Sequence, residues 1–525
     1  METRVDPEPV AQRSPAPDDS VLSRVPIHPL LLAVYPVLLL YADNLTDVPF
    51  VDAVAPTLAA LGITCLIWWA LARVLGGRRR GAIVASAFIV PAMLFGVVVE
   101  ALQPEAVPGR LQELAAPLAG VAVLVLSVSS GLYAASKPRL RPTVTATLNV
   151  VSIALIVMAA LPILTYRLGV DSNTGVAASA AGEQLTVGAG EAPDIYHLVF
   201  DRYGSEASLR SGFDIDNAAF VSWLEGQGFK VADHARANHL KTTLSLASTL
   251  SLAPLDELAD DVGPEQRDLG PVYERIRRNR AGDMLRDVGY RYTHLGSWYN
   301  WTRESDVADS VRGLGAYRSF AQLVLARSIL SLGMTPLRSD SELARATAKY
   351  QWDELEDIAA EPGPKYVFAH VLLPHPPFVY LADGTYAPDE ATFETQLRYT
   401  NARIKAFVGG LLEAPPDARP IIILQADEGP YPERFAKDAE SFDWAGASPD
   451  ELVTKFGVLN AMYLPGAEGE APLRSDLSLV NTYPEVFRRY FGAAMVDHPD
   501  SSFASPEGRP YDLIDVTDEL ERAFQ

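Results

Sequence analysis

The stretch IIILQADEGP, residues 421–430, places four aliphatic β-formers ahead of two adjacent carboxylates, Asp427 and Glu428, and a glycine turn. A run of this kind delivers oxygen ligands at the carboxyl end of a strand. DIYHLVFDRYG, residues 194–204, repeats the device: the apolar strand from His197 to Phe200 leads into Asp201 and then Gly204. The two acidic clusters converge only if their strands lie side by side in one parallel sheet, and that edge is where open α/β sheets bind ligands. Ordinary acidic turns after each strand are the alternative reading.

Outward from these two segments the pattern alternates. Strands are expected at 194–200, 365–373, 420–425 and 457–464, and helices at 216–227, 271–288, 340–359, 391–413 and 482–491, with Pro484 marking the last helix start. Such alternation implies βαβ units and a mostly parallel central sheet covered on both faces, an α/β domain.

At 525 residues the chain is too long for one domain. Its first 166 or so residues are mostly long apolar runs, so a mean hydropathy of +0.07 averages two different halves. Segments 28–42 with neighbours, 51–75, 82–101, 116–136 and 143–166 each approach the ~20 apolar residues that span a bilayer, which gives a multi-pass membrane domain of about five helices. Arg73, Arg78, Arg79 and Arg80 follow the second segment and Lys137, Arg139 and Arg141 the fourth, whereas Asp43, Asp47 and Asp52 follow the first. The positive-inside rule then puts the amino terminus in the cytoplasm and everything after residue 166 outside a bacterial cell membrane. The expected organisation is a disordered tail (1–27), a transmembrane domain (28–166), a Gly-, Ala-, Ser- and Thr-rich linker (167–192) and an extracytoplasmic domain (193–525).

The one cysteine, Cys65, falls within the second span, so the outer domain has neither disulfide nor thiol and must be held by its core. A net charge of −22 argues against a nucleic-acid partner, which needs a basic surface. The spans carry few ionisable groups, which suggests an anchor rather than a transporter.

NHLKTTLSLASTLSL, residues 238–252, reads as a buried helix capped by Thr242 or Thr243. A hydroxyl there sits where backbone N–H groups and the helix dipole favour phosphate, and a metal touching it would make it a nucleophile; a plain cap is the alternative.

The ordered set of an Asp after the first strand, a Lys-Thr-Thr helix start, the strand ending FAHVLLPHPPF (368–378), the Asp-Glu-Gly turn and the late KFGVLNAMYLPG (455–466) resembles the alkaline phosphatase and sulfatase superfamily. The closest likeness is to bacterial membrane-bound sulfatase-like proteins related to lipoteichoic acid synthases, which have five spans before an extracytoplasmic catalytic domain. The resemblance implies that Asp201 and Asp427 are metal ligands and that Thr242 is both nucleophile and ligand. Glu428 stands where the superfamily usually has a metal-binding histidine. Taken as a fourth ligand, it makes the first shell all oxygen and points to one divalent cation, Mn2+ or Mg2+ before zinc.

The resemblance also implies that His375 lies near the reacting phosphate, where it hydrogen-bonds a phosphoryl oxygen or protonates a leaving group. In YTHLGSWYNWTRES (292–305), His294, Trp301 and Arg303 match residues that contact a glycerol phosphate head, with core packing as the alternative. His370 joins this substrate-contacting set, a satisfied core histidine being its alternative. Sulfatases of the superfamily form formylglycine from a cysteine or serine in a Pro- and Arg-containing motif, and LKTTLSLAS lacks it. Threonine fits phosphoryl chemistry instead.

The expected function is therefore that of a metal-dependent phosphoglycerol-type transferase or phosphodiesterase, acting on lipid or lipid-linked glycopolymer phosphoesters outside the membrane. The alternatives are a hydrolase of other esters, sulfate esters included, and an inactive envelope-binding homologue.

Overall fold

The computed structural model describes residues 21–45, 48, 50–101, 110–172, 185–186, 192–314, 320–333, 339–466 and 473–525. Residues 1–20 of the expected tail and most of the expected linker lie outside the described residues. The chain divides into two compact units, one of residues 1–168 with 318–337, the other of 169–317 with 338–525. Residues 318–337 thus group with the apolar helices, although the sequence places them among soluble elements.

The first unit contains the helices His28–Ala42, Phe50–Val74, Arg78–Met93 with Phe95–Ala101 and Arg110–Ser136, and all but the last four residues of Arg141–Ser172. All five expected segments are helical. Among the described residues three stretches are long and apolar enough to cross a membrane: Phe50–Val74, Pro117–Ser136 and Arg141–Thr165. The difference from five is one of length. His28–Ala42 has 15 residues, about 22 Å of helix against a hydrocarbon core of about 30 Å, and Arg78–Met93 has 16 and opens on three arginines.

The second unit is built on a seven-stranded sheet. Its strands are β1 (Ile195–Phe200), β2 (Lys230–Val231), β3 (Arg291–Leu295), β4 (Ser310–Arg312), β5 (Lys365–Val371), β6 (Ile421–Ala426) and β7 (Asn460–Tyr463), in the order β2-β7-β6-β1-β5-β3-β4. β1 is parallel to β5 and β6, and β3 to β4 and β5, while β7 runs antiparallel to β6 and β2. The mostly parallel sheet is as the alternation implies. The expected strand 457–464 is a shorter, antiparallel one, and β2, β3 and β4 are too short or too polar to have been expected.

β1, β5 and β6 are buried along their whole lengths, as central strands covered on both faces must be. Period-two alternation explains how β1 serves both faces. Tyr196 packs edge-on against Phe407 and Phe200 stacks on Trp352, from the helices Phe393–Leu412 and Asp340–Ala359. His197, pointing the other way, donates or accepts at 2.7 Å with the Tyr483 hydroxyl of Thr482–Phe491. The expected helix 271–288 is two helices, Gly270–Arg277 and Arg280–Asp287, because Asn279 breaks the first and caps the second by accepting from the Gly282 N–H.

Candidate metal centre and active site

Strand register brings the two acidic segments together. Phe200 lies opposite Val371 of β5 and Ala426 of β6, so Asp201 and Asp427 leave adjacent strands at the same level, with His370 one residue before the end of β5. The turn after β1 is tight: Arg202 has a φ of 60°, in the left-handed region, and its N–H donates to Asp427 Oδ1 at 3.0 Å. Gly429 permits the turn after β6, since a Cβ there would lie 2.2 Å from the Thr454 carbonyl oxygen.

Ligand atoms of Asp201, His370 and Asp427 lie within 4.8 Å of one another, and all three residues are buried. One atom of each, Asp201 Oδ1, His370 Nε2 and Asp427 Oδ2, is buried without a hydrogen-bond partner. His370 Nε2 stands 3.6 Å from Asp201 Oδ2, too far for a hydrogen bond. Leaving three buried polar atoms unsatisfied costs free energy unless something else meets them, and two carboxylate oxygens with an imidazole nitrogen are the donors a divalent ion takes. The residues fit the ion.

Burial, then the neighbouring Asp427, pushes the Asp201 carboxyl well above its usual range. Burial, then Glu428, raises Asp427 to about 6. Burial lowers the His370 imidazole to about 3, with His375 and His294 adding to the effect, so it is neutral and its lone pair is available. Its orientation is fixed from behind, because Nδ1 lies 2.9 Å from Thr302 Oγ1, which is in turn 2.9 Å from Ser297 Oγ. A metal-binding histidine is commonly held this way through its second nitrogen.

Glu428, expected as a ligand, is not in the group. Its Oε1 accepts from Arg202 Nε at 3.3 Å, and its Oε2 accepts from the Lys241 N–H at 2.7 Å and Lys455 Nζ at 2.6 Å. Burial would raise this carboxyl, but Lys455 and Arg202 outweigh burial and hold it below its ordinary value. Both cations also face Tyr431, the Arg202 guanidinium at 3.6 Å from the ring centroid and Lys455 Nζ at 4.2 Å. Two cations, Arg202 and Lys455, thus stand against Glu428. The group of Asp201, His370 and Asp427 differs from the expected all-oxygen set in bringing an imidazole nitrogen.

Thr242 begins the helix Thr242–Ser251 and its hydroxyl hydrogen-bonds the Asp427 carboxylate. It is not a cap, because Lys241 holds the N-cap position, at a φ of 72°, without a side-chain hydrogen bond to the helix. Ser245, one turn on, donates to the Asp427 carbonyl at 2.6 Å and fastens the helix to the acidic turn.

His375 Nδ1 donates to the Pro376 carbonyl, so its Nε2 is an acceptor. Burial holds the ring at about 3, so it is neutral and the Nε2 lone pair is free of a proton. His294 lies behind His370 with both nitrogens engaged, Nε2 donating to the Thr302 carbonyl at 2.9 Å and Nδ1 accepting from the Tyr292 hydroxyl at 3.0 Å. Trp301 is buried edge-on against Tyr273, a core role. Arg303 donates to the Trp298 carbonyl at 3.3 Å. The aromatic rings beside the histidines are Trp298, 6.0 Å from His375, and Tyr299, 6.2 Å from His370. Sequence reasoning missed both, along with Arg202, Thr302 and Lys455. Arg202 alone carried a signal, as the residue next to Asp201. A cavity of about 230 Å³ lined by Leu252, Pro484, Met495 and His498, among others, shares no residue with the site.

Fold and site together define a membrane-anchored α/β protein with a buried Asp-His-Asp centre. No protein-family model matches the chain, and no curated protein matches it in sequence. Among solved structures it is similar to the C-terminal periplasmic domain of EcEptC from Escherichia coli, at 12% identity over 66% of this chain and 99% of that one, with a TM-score of 0.43. It is similar to the integral membrane lipooligosaccharide phosphoethanolamine transferase A (EptA) from Neisseria meningitidis, at 12% identity over 88% of this chain and 95% of that one, with a TM-score of 0.40. An alkaline phosphatase superfamily protein from Vibrio parahaemolyticus matches at 12% identity over 65% of this chain and 80% of that one, with a TM-score of 0.41.

Proposed function

We propose that the chain is a metal-dependent phosphotransferase or phosphodiesterase that acts on lipid or lipid-linked phosphoesters through Thr242. The observation that carries this reading is the set of three unpartnered ligand atoms on Asp201, His370 and Asp427 beside a threonine hydroxyl bonded to Asp427. A divalent ion held by those three side chains would supply positive charge to a phosphoryl oxygen and favour the alkoxide of Thr242. The imidazole ligand suits Zn2+ or Mn2+ better than Mg2+.

Thr242 Oγ attacks phosphorus, the bond to the leaving alcohol breaks, and the hydroxyl proton ends on that alcohol. Water or a second alcohol then attacks the phosphorus, the bond to Thr242 Oγ breaks, and the proton of the incoming hydroxyl returns to Thr242 Oγ, with the lone pair of His375 Nε2 as the group that would relay it. Three carboxylates against Arg202 and Lys455 leave one negative charge, which a divalent ion turns into one positive charge. That balance favours the single negative charge of a phosphodiester.

The basic residues after the second and fourth apolar segments support an amino terminus in the cytoplasm and a catalytic unit outside, within reach of lipid headgroups. The test is to incubate the full chain in vesicles of phosphatidylglycerol and phosphatidylethanolamine with Zn2+ or Mn2+. Diacylglycerol release with a phosphorylated Thr242, both absent in Thr242→Ala, is the expected result. Turnover that survives Thr242→Ala overturns the assignment.

A further inference from the structure

Phe320–Arg327 forms a helix and Ile329–Gly333 a 3-10 turn, inserted between β4 and the helix Asp340–Ala359 of the α/β unit. The segment nevertheless packs in the other unit. Phe320 is buried and meets Tyr41 edge-on, the ring centroids 6.1 Å apart. It shares an apolar cluster with Val37, Leu40, Tyr41 and Ala53, against which Leu323 and Val324 also pack. At the far end of the helix the backbones nearly touch, since a Cβ on Gly96 would lie 2.9 Å from Arg327 Cα. One face of the segment is therefore seated on the apolar helices of the first unit, among them the first turn of the candidate span Phe50–Val74.

The 3-10 turn leaves apolar side chains uncovered. Leu330 and Leu332 are each 53% exposed. Composition agrees with this: in a chain of charge −22, no acidic residue occurs between Asp309 and Asp340, and Arg318 and Arg327 are the only charged residues from 318 to 337. Exposed leucines after an exposed Arg327, in a segment packed on apolar helices, match the boundary between headgroups and acyl chains.

We infer that Phe320–Gly333 is a second membrane seat, a strap by which the catalytic unit's own chain returns to the bilayer and lays Leu330 and Leu332 against lipid. The chain then passes between the two units three times, at 168–169, 317–318 and 337–338.

The test uses the full chain in vesicles with Cys65→Ser, which leaves single cysteines at Leu330→Cys, Leu332→Cys or the exposed-turn control Asp383→Cys for a nitroxide label. Collisions with oxygen, which partitions into lipid, are compared with those of a water-soluble nickel chelate. Labels at 330 and 332 favouring oxygen several-fold over the control are expected. Nickel access equal to that at 383 overturns the seat. Exclusion of both reagents overturns it too, because a second copy or another part of the protein would then be the cover.

Discussion

Asp427 and Glu428 are consecutive, equally buried carboxylates on one turn, and the fold gives them opposite surroundings. Around Asp427 gather Asp201, His370 and the Thr242 hydroxyl, with three ligand atoms unpartnered. Around Glu428 gather Arg202, Lys455 and the Lys241 N–H, and both oxygens are occupied. Successive side chains leave an extended backbone in opposite directions, so one turn can face an ion site on one side and an ion-pair core on the other. Adjacent acidic residues in a sequence need not share a function.

The sharpest way to break this comparison is to remove the ion side. Asp427→Asn is expected to abolish stoichiometric metal in elemental analysis and to lower kcat/KM by roughly a thousandfold or more, the several kcal/mol a Lewis acid supplies. Full metal in that variant would mean the three unpartnered atoms serve something else. On the other side, Glu428→Gln is expected to keep the metal while lowering stability by about 3 kcal/mol in denaturant unfolding, because Lys455 stays buried without its anion. Metal lost in Glu428→Gln with the fold intact would restore Glu428 as a ligand.

Smaller effects sharpen the ion side. Thr302→Val removes the oxygen behind His370 Nδ1 and is expected to weaken metal binding roughly 10–100-fold, with Thr302→Ser restoring it. The d–d spectrum of a Co2+-loaded protein would show the altered ligand field, which a mere packing defect would leave alone.

Proton competition is the mildest effect. Burial raises Asp427 from 3.8 to about 6, so in the metal-free protein the folded state holds this proton more tightly than the unfolded chain. The stability it contributes is full below about pH 4 and is lost as pH rises through 6. A bound ion needs the carboxylate, so metal affinity in calorimetric titrations is expected to fall about tenfold per unit as pH drops below 6. An affinity flat between pH 7 and 5 would separate Asp427 from the ion.

Much of the fold was legible because its signals are local. Apolar runs ending in Asp201 and Asp427 mark β1 and β6, and the helices Asp340–Ala359 and Thr482–Phe491 carry their periodicity and start signals in sequence. β3 was not legible, since the segment RYTHL alternates polar groups that are buried by partners far away in the chain. His370 reads as a core histidine for the same reason: Thr302, 68 residues earlier, turns its other nitrogen toward Asp201.

The sequence by itself determined that apolar helices precede an α/β unit and that two strands end in carboxylates, because hydropathy and strand patterning depend on near neighbours. Only the tertiary structure decided which groups gather at the strand ends. The register of β5 against β1 brings His370 to Asp201, and the closure of Lys455 onto Glu428 takes that carboxylate out. Both depend on side chains packed from segments distant in sequence, where the electrostatic outcome is set by burial and by the partner within a few ångströms.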